Sequence, residues 1–203
     1  MPKGLIVIEG AGPRSPGAPW APLARVAGRP LVLHAHDALR AAGAGSVIVV
    51  GPADALEALR PALDVAASGT VALELAAPGS AGDALLAAAG WLDGDDVIVH
   101  SGAGLLLRGA EPLRRAFAAG GGHADATVFF ASARRRGLQA ERVTGVHVFS
   151  ERILPALAEV EPGEDGRSLL DAVDRLAASG GRVRAAVLES WWQWDEARQT
   201  TLV

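Results

Sequence analysis

The chain has 203 residues, half of them hydrophobic, which is enough apolar surface for one buried core and predicts a single domain spanning 1–203. Its formal net charge of −4 gives no electrostatic reason to expect a nucleic-acid partner. Since the sequence has no cysteine, disulfides, thiolate metal sites and a cysteine nucleophile are excluded.

The opening of the chain is a short apolar run at 4–8, which predicts a buried strand. The run is too short for a signal peptide or a membrane span, so we expect a cytoplasmic protein with no membrane partner. A loop rich in glycine and proline follows, and apolar residues at helical spacing then predict a helix over 31–42 that ends at Gly43.

Strand and helix patterns alternate along the rest of the chain. The predicted strands lie at 46–50, 71–75, 97–100, 126–131, 144–149 and 183–188, and the predicted helices at 54–63, 83–92, 111–119, 150–160 and 168–179. The segment 132–142 is expected to be loose. This alternation predicts an α/β fold with three αβα layers around a mostly parallel, Rossmann-like sheet. Ligands of such sheets bind beyond the carboxyl ends of the strands, which nominates residues 9–14, 75–82 and 100–104.

A series of motifs resembles the sugar-1-phosphate nucleotidyltransferases, in particular the glucose-1-phosphate thymidylyltransferases. Those enzymes carry, in order, G-G-x-G-T-R, V-x-x-K-P, L-G-D-N, V-T-G-x-Y-x-F and W-W-x-D-T-G. The matching segments here are Glu9-Gly-Ala-Gly-Pro-Arg14, Val26-Ala-Gly-Arg-Pro30, Ser101-Gly-Ala-Gly104, Val143-Thr-Gly-Val-His-Val-Phe149 and Trp191-Trp-Gln-Trp-Asp195. The cytidylyltransferases of isoprenoid synthesis are a related alternative, but the paired tryptophans favour the sugar-nucleotide branch.

The resemblance implies transfer of a nucleotidyl group with Mg²⁺, yet the sequence departs from the family at several positions. Glu9 replaces the first glycine of the phosphate loop, and Ala103 replaces one of two aspartates that bind the metal. The family's loop lysine falls near Ala21, and Lys3 is the only lysine of the chain. The sugar-binding segment is missing, because the stretch 132–142 is too short to contain it. We therefore expect neither a metal nor a cofactor.

The residues that remain suggest a different use of the pocket. Glu9, His100 and Asp195 are candidates for acid–base catalysis, although each alone could be an ordinary solvated or capping residue. Candidates for ligand binding are Gly10, Gly12, Arg14, Trp20, Trp191, Trp192 and Trp194, although the last three could equally be packing residues. His147 alternates with core residues in a strand and is interpreted as a packing residue.

Three functions are compatible with this pattern. The first is a neofunctionalised protein that has lost nucleotidyl transfer and acts on a small, less charged metabolite by cyclisation, isomerisation or hydrolysis. The second is a non-catalytic binding or partner protein, and the third is a residual nucleotidyltransferase. Because sugar nucleotidyltransferases usually oligomerise, the resemblance also predicts a homo-oligomer, most simply a dimer.

Overall fold

Strands and helices alternate along the chain in a computed structural model, which describes residues 1–9, 20–66, 70–75, 79–120, 124–135 and 138–194. The strands are β1 (Lys3–Val7), β2 (Arg25–Val26), β3 (Arg29–Pro30), β4 (Ser46–Pro52), β5 (Thr70–Leu75), β6 (Val97–Ser101), β7 (Gly104–Leu106), β8 (Ala126–Arg135), β9 (Leu138–Phe149), β10 (Val183–Leu188) and β11 (Trp191–Gln193). The α-helices are α1 (Leu31–Ala42), α2 (Ala53–Ala66), α3 (Ala81–Ala87), α4 (Ala89–Leu92), α5 (Glu111–Gly120), α6 (Ile153–Ala158) and α7 (Leu169–Ala178).

Seven strands form one sheet in the order β10-β8-β9-β6-β1-β4-β5. β1 lies in its interior and pairs in parallel with β4 and β6, while β5 and β10 run parallel to their neighbours. β9 is antiparallel to both β6 and β8. The predicted α/β fold with a mostly parallel sheet is thus confirmed, and the reversed strand β9 passes beside the end of β6.

Alternate residues of the strands point to opposite faces and build two apolar cores. Ile6 and Ile98 contribute to the core that includes buried residues of α1, α2 and α5. Leu5 and Val99 contribute to the core that includes buried residues of α3, α6 and α7. A side chain's position along its strand therefore decides which helix layer it meets.

Helix α1 has the bounds that its sequence pattern predicts. Gly43 stops it by adopting a left-handed conformation with φ of 104°, which glycine adopts without steric cost. The N–H of Gly43 donates to the carbonyls of Leu39 and Arg40, so carbonyls of the last turn are satisfied.

Three features differ from the sequence prediction. The prediction of a loose segment at 132–142 is wrong for 132–135 and 138–142, because β8 and β9 continue to pair as far as Arg135 and Leu138. Main-chain pairing extends both strands there despite the charged sequence. The helix expected at 83–92 is divided into α3 and α4, and the two short antiparallel pairs, β2 with β3 and β7 with β11, were not predicted. No helix in the described ranges is long and apolar enough to cross a membrane.

Candidate functional site

A pocket of about 300 Å³ lies on the α3 and α7 side of the sheet, at the ends of β1 and β6. Its lining includes Val7 and Ser101, which are paired across those two strands. Gly145 of β9 continues the same row, since a Cβ atom on it would collide with the Cβ of Ser101. Residues from all three loops nominated by the topology meet here, namely Glu9, the 80–82 segment and Ser101.

Glu9 lies just beyond the end of β1 and lines this pocket. The residue is exposed on one side, but the protein around its carboxyl removes part of its water and raises its pKa above the usual value. A hydrogen bond from the backbone N–H of Ala81, next to the start of α3, acts in the opposite direction and only partly offsets this effect. Glu9 is thus a carboxylate in an environment that favours its protonation.

An ion pair fixes the wall of the pocket beside Glu9. Arg167 donates from Nη1 to Oδ1 of Asp83 at 3.0 Å, and its backbone N–H donates to Oδ2 at 3.2 Å. Ser80 caps α3 by accepting from the N–H of Asp83, while its own N–H donates to the Asp83 carboxylate. Burial alone would raise the pKa of Asp83, but these hydrogen bonds outweigh it and lower the pKa. The positive charge of Arg167 is therefore already compensated within the protein.

His147 is a pocket-lining residue that sequence reasoning assigned to packing. Its ring stacks on Phe149 with the ring centres 5.7 Å apart, which satisfies the packing interpretation. The same ring lines the pocket, is 5% exposed, and its Nδ1 atom has no hydrogen-bond partner in the described part of the chain. Burial lowers the pKa of His147 to about 4, so the imidazole is neutral at physiological pH. The sequence offered one signal for this role, namely a polar residue at a strand position that otherwise faces the core.

His100 lies on the other face of the sheet from Glu9. It is fully buried, its Nδ1 donates to the Ser101 carbonyl at 2.7 Å, and Trp191 closes over it edge-on with ring centres 5.4 Å apart. Burial lowers the pKa of His100 to about 4, although the hydrogen bond to Ser101 acts in the opposite direction. The expected pairing of Glu9 with His100 across one pocket mouth is therefore not found, because strand alternation places them on opposite sides. Asp195 lies outside the described residues.

The tryptophans pack in cores and do not line the pocket. Trp20 and Trp191 are partly buried against the α1 side of the sheet. Trp192 and Trp194 pack around Leu31 and meet edge-on, with ring centres 5.9 Å apart. We expected the tryptophans to line an apolar pocket, but they do not line this one. Its apolar lining residues are aliphatic and include Val7, Val99, Val143, Leu169 and Leu170. Gly10, Gly12 and Arg14 lie outside the described residues.

Comparisons with known proteins agree with the fold. The family model described as MobA-like NTP transferase domain matches residues 6–178. Among solved structures, the chain is similar to a protein from Bacillus anthracis that is named as a glucose-1-phosphate thymidylyltransferase and was crystallised with sucrose. The TM-score is 0.76 at 15% identity, over 95% of this chain and 89% of the other, so the likeness shows a shared fold. A search of curated proteins finds no significant match.

Proposed function

The chain belongs to the MobA-like NTP transferase domain family, and we propose that its pocket binds a small molecule carrying less charge than a nucleoside triphosphate. Glu9 exchanges a proton with that molecule. The observation that carries this proposal is the Glu9 carboxyl itself, which lines the pocket with a raised pKa. Among the described residues no cation forms an ion pair with it.

The charge of the pocket disfavours a phosphate group. Two like charges 4 Å apart repel by about 1 kcal/mol in water and by about 4 kcal/mol near a protein surface. A phosphate beside Glu9 would meet this repulsion. Arg167 gives little compensation, because its guanidinium is held by Asp83. The lining that the structure describes therefore suits a neutral molecule better than a phosphate.

The raised pKa suits Glu9 to proton transfer. A general acid or base works best when its pKa lies near the working pH, and partial desolvation moves a carboxyl in that direction. One such group can serve a cyclisation, an isomerisation or a hydrolysis, which are the reaction classes that remain open. The aliphatic lining provides a binding surface for the apolar part of the substrate.

Retained nucleotidyl transfer is the second candidate, since membership of the transferase family favours it. Against it stand Glu9 at the first glycine of the phosphate loop and Ala103 at the position of a metal-binding aspartate. The two candidates differ in what they bind, so binding separates them before any turnover assay exists.

Isothermal titration calorimetry with ATP, GTP, CTP and TTP in the presence of Mg²⁺ tests the proposal. We expect no measurable binding up to millimolar concentration, whereas a micromolar dissociation constant for any triphosphate would establish the transferase alternative. A thermal-shift screen of uncharged metabolites should yield a ligand. At one hundred times its dissociation constant, that ligand should stabilise the protein by about 2.7 kcal/mol, or roughly 5–10 °C in Tm.

Glu9→Gln in the same assays separates binding from proton transfer. The variant should bind the identified ligand and lose turnover by about 10²-fold or more, since it keeps the shape of the side chain but cannot take up a proton. A variant that turns over at the wild-type rate with an intact fold would show that Glu9 is not the proton-transfer group.

A further inference from the structure

Strand β10 forms one edge of the seven-stranded sheet, next to β8. Along a strand every second residue directs its N–H and C=O groups toward the same neighbour. The carbonyl of Arg182 accepts a hydrogen bond from the N–H of Ala126 at 3.2 Å, so the even-numbered residues of β10 face β8. Val183, Ala185 and Val187 therefore direct their backbone groups outward, where no strand in the described ranges pairs with them.

The same three residues form an exposed apolar row on one face of the sheet. Leu188 is buried in the core on the α1 side, so strand alternation places the row on the α7 side. Val183 and Val187 are 40% and 50% exposed, and Ala185 is exposed as well. Edge strands are commonly protected by lysine, proline or a bulge. β10 contains no lysine or proline and pairs with β8 in a continuous register, so its outer edge is open to another strand.

We infer that β10 is an interface between two copies of this chain, which pair their β10 strands in antiparallel orientation around a two-fold axis at Ala185. This register places Val183 of each copy opposite Val187 of the other, and Ala185 opposite its own copy. The outward N–H and C=O groups of all three residues then pair across the axis. Cross-strand pairs of β-branched residues stabilise a sheet. Because a two-fold contact is closed, the assembly ends at a dimer.

The charges of the strand favour this axis over the neighbouring ones. An axis at Arg184 would place two guanidinium groups directly opposite each other, and like charges in that position are destabilising. An axis at Ala186 would place the Glu189 carboxylate opposite Val183. With the axis at Ala185, Arg184 lies opposite Ala186 on the other face of the sheet, so no charge meets a like charge or a valine. The strand is thus complementary to itself, which is the reason to assign the edge to a second copy.

The size of the contact sets the expected affinity. The six residues of β10 span about 20 Å, and one pair of strands of that length buries less than the roughly 800 Å² per partner of a standard interface. We therefore expect a dissociation constant in the micromolar range. The dimer should dissociate on dilution and form again on concentration.

Single cysteines test the register, because the chain has no cysteine of its own. Residues directly opposite in an antiparallel pair have Cα atoms about 5 Å apart, which a disulfide can bridge. Ala185→Cys should therefore form a disulfide-linked dimer under mild oxidation, at least about tenfold faster than the control Ala87→Cys. Ala87 is an exposed alanine of α3, away from the sheet edge.

The flanking positions give a second reading of the register. A mixture of Val183→Cys and Val187→Cys should form a mixed disulfide, because these residues lie opposite each other in the inferred pair. Each variant alone should react no faster than Ala87→Cys. Its two cysteines would lie four residues apart along the strands, or about 13 Å, which exceeds the reach of a disulfide.

Light scattering tests the dimer without cysteines. At about 0.5 mM, well above a micromolar dissociation constant, the wild type should have twice the chain mass of 20.7 kDa. Val187→Lys should stay at the mass of one chain with an unchanged Tm, because it places a charge opposite Val183 at an exposed position. Leu107→Lys is the matched control, since Leu107 is 56% exposed but lies outside β10, and it should dimerise like the wild type.

A wild-type mass of one chain at that concentration would overturn the inference. So would Ala185→Cys that crosslinks no faster than Ala87→Cys, or Val183→Cys that crosslinks with itself as fast as Ala185→Cys. A mass above that of two chains would contradict the closed two-fold contact. None of these measurements involves a ligand, so they leave the proposed function to the calorimetric and thermal-shift experiments.

Discussion

Replacing Arg167 by methionine tests whether the ion pair in the pocket wall holds the start of α3. The change removes the Nη1–Oδ1 hydrogen bond to Asp83 and the Nε hydrogen bond to the Val160 carbonyl. Hydrogen bonds to charged groups contribute about 1.5–3 kcal/mol. The Arg167 and Asp83 side chains are 31% and 23% exposed, so solvent screening reduces this value. We expect a loss of about 1–2 kcal/mol, or roughly 2–8 °C in Tm.

Urea unfolding at several pH values provides the assay. The folded-state pKa of Asp83 is lowered from 3.8, so its contribution is present above about pH 3.8 and is lost as the pH falls through the folded value. The deficit of Arg167→Met should therefore shrink in acid. Arg175→Met is the control, because Arg175 and Glu159 form an exposed pair 3.6 Å apart that should contribute less than about 0.5 kcal/mol. Equal stability of the two variants at pH 7 would refute the structural role of Arg167.

Glu9→Gln should raise Tm at pH 7, since folding disfavours the ionised carboxyl, and the gain should vanish below pH 4.5, where Glu9 is protonated in both states. Scanning calorimetry at pH 7 and pH 4, with the exposed Glu57→Gln as control, checks this; a Tm that falls at pH 7 would contradict it. Gly104→Ala should destabilise the protein by about 1–3 kcal/mol, because its Cβ would overlap the ring of Trp191. Gly90→Ala is the control, because Gly90 lies in a helix and a Cβ atom there would meet nothing within 4 Å. In chemical denaturation this variant should be neutral or stabilising. A similar loss of stability in both variants would exclude the steric explanation.

The sequence was sufficient to predict the main sheet and helices because apolar runs and helical spacing are local signals. The bounds of α1 follow from its apolar spacing and Gly43, and the position of Glu9 in a pocket follows from the rule for parallel sheets. The pair β7 and β11 depends instead on a contact between distant segments. Glycine at 104 permits that contact by leaving room for Trp191, which no local pattern reveals.

The assignment of His100 and His147 shows a second limit of prediction from sequence. Both histidines lie in strands among apolar neighbours, and His100 was favoured for catalysis because it precedes a loop. The face of the sheet decides their access to a ligand. His100 faces the α1 side, where Trp191 covers it, whereas His147 faces the pocket. Because a shift of one residue reverses the face, an antiparallel partner such as β9 cannot be placed without its register.

Acid unfolding should report on the burial of both histidines. Each has a pKa of about 4 in the folded protein against 6.5 in the unfolded chain, so stability should fall between pH 6.5 and pH 4 by on the order of 3 kcal/mol for each. His100→Phe and His147→Phe should both reduce this fall. A fall of undiminished size in either variant would contradict the lowered pKa of the histidine that it replaces.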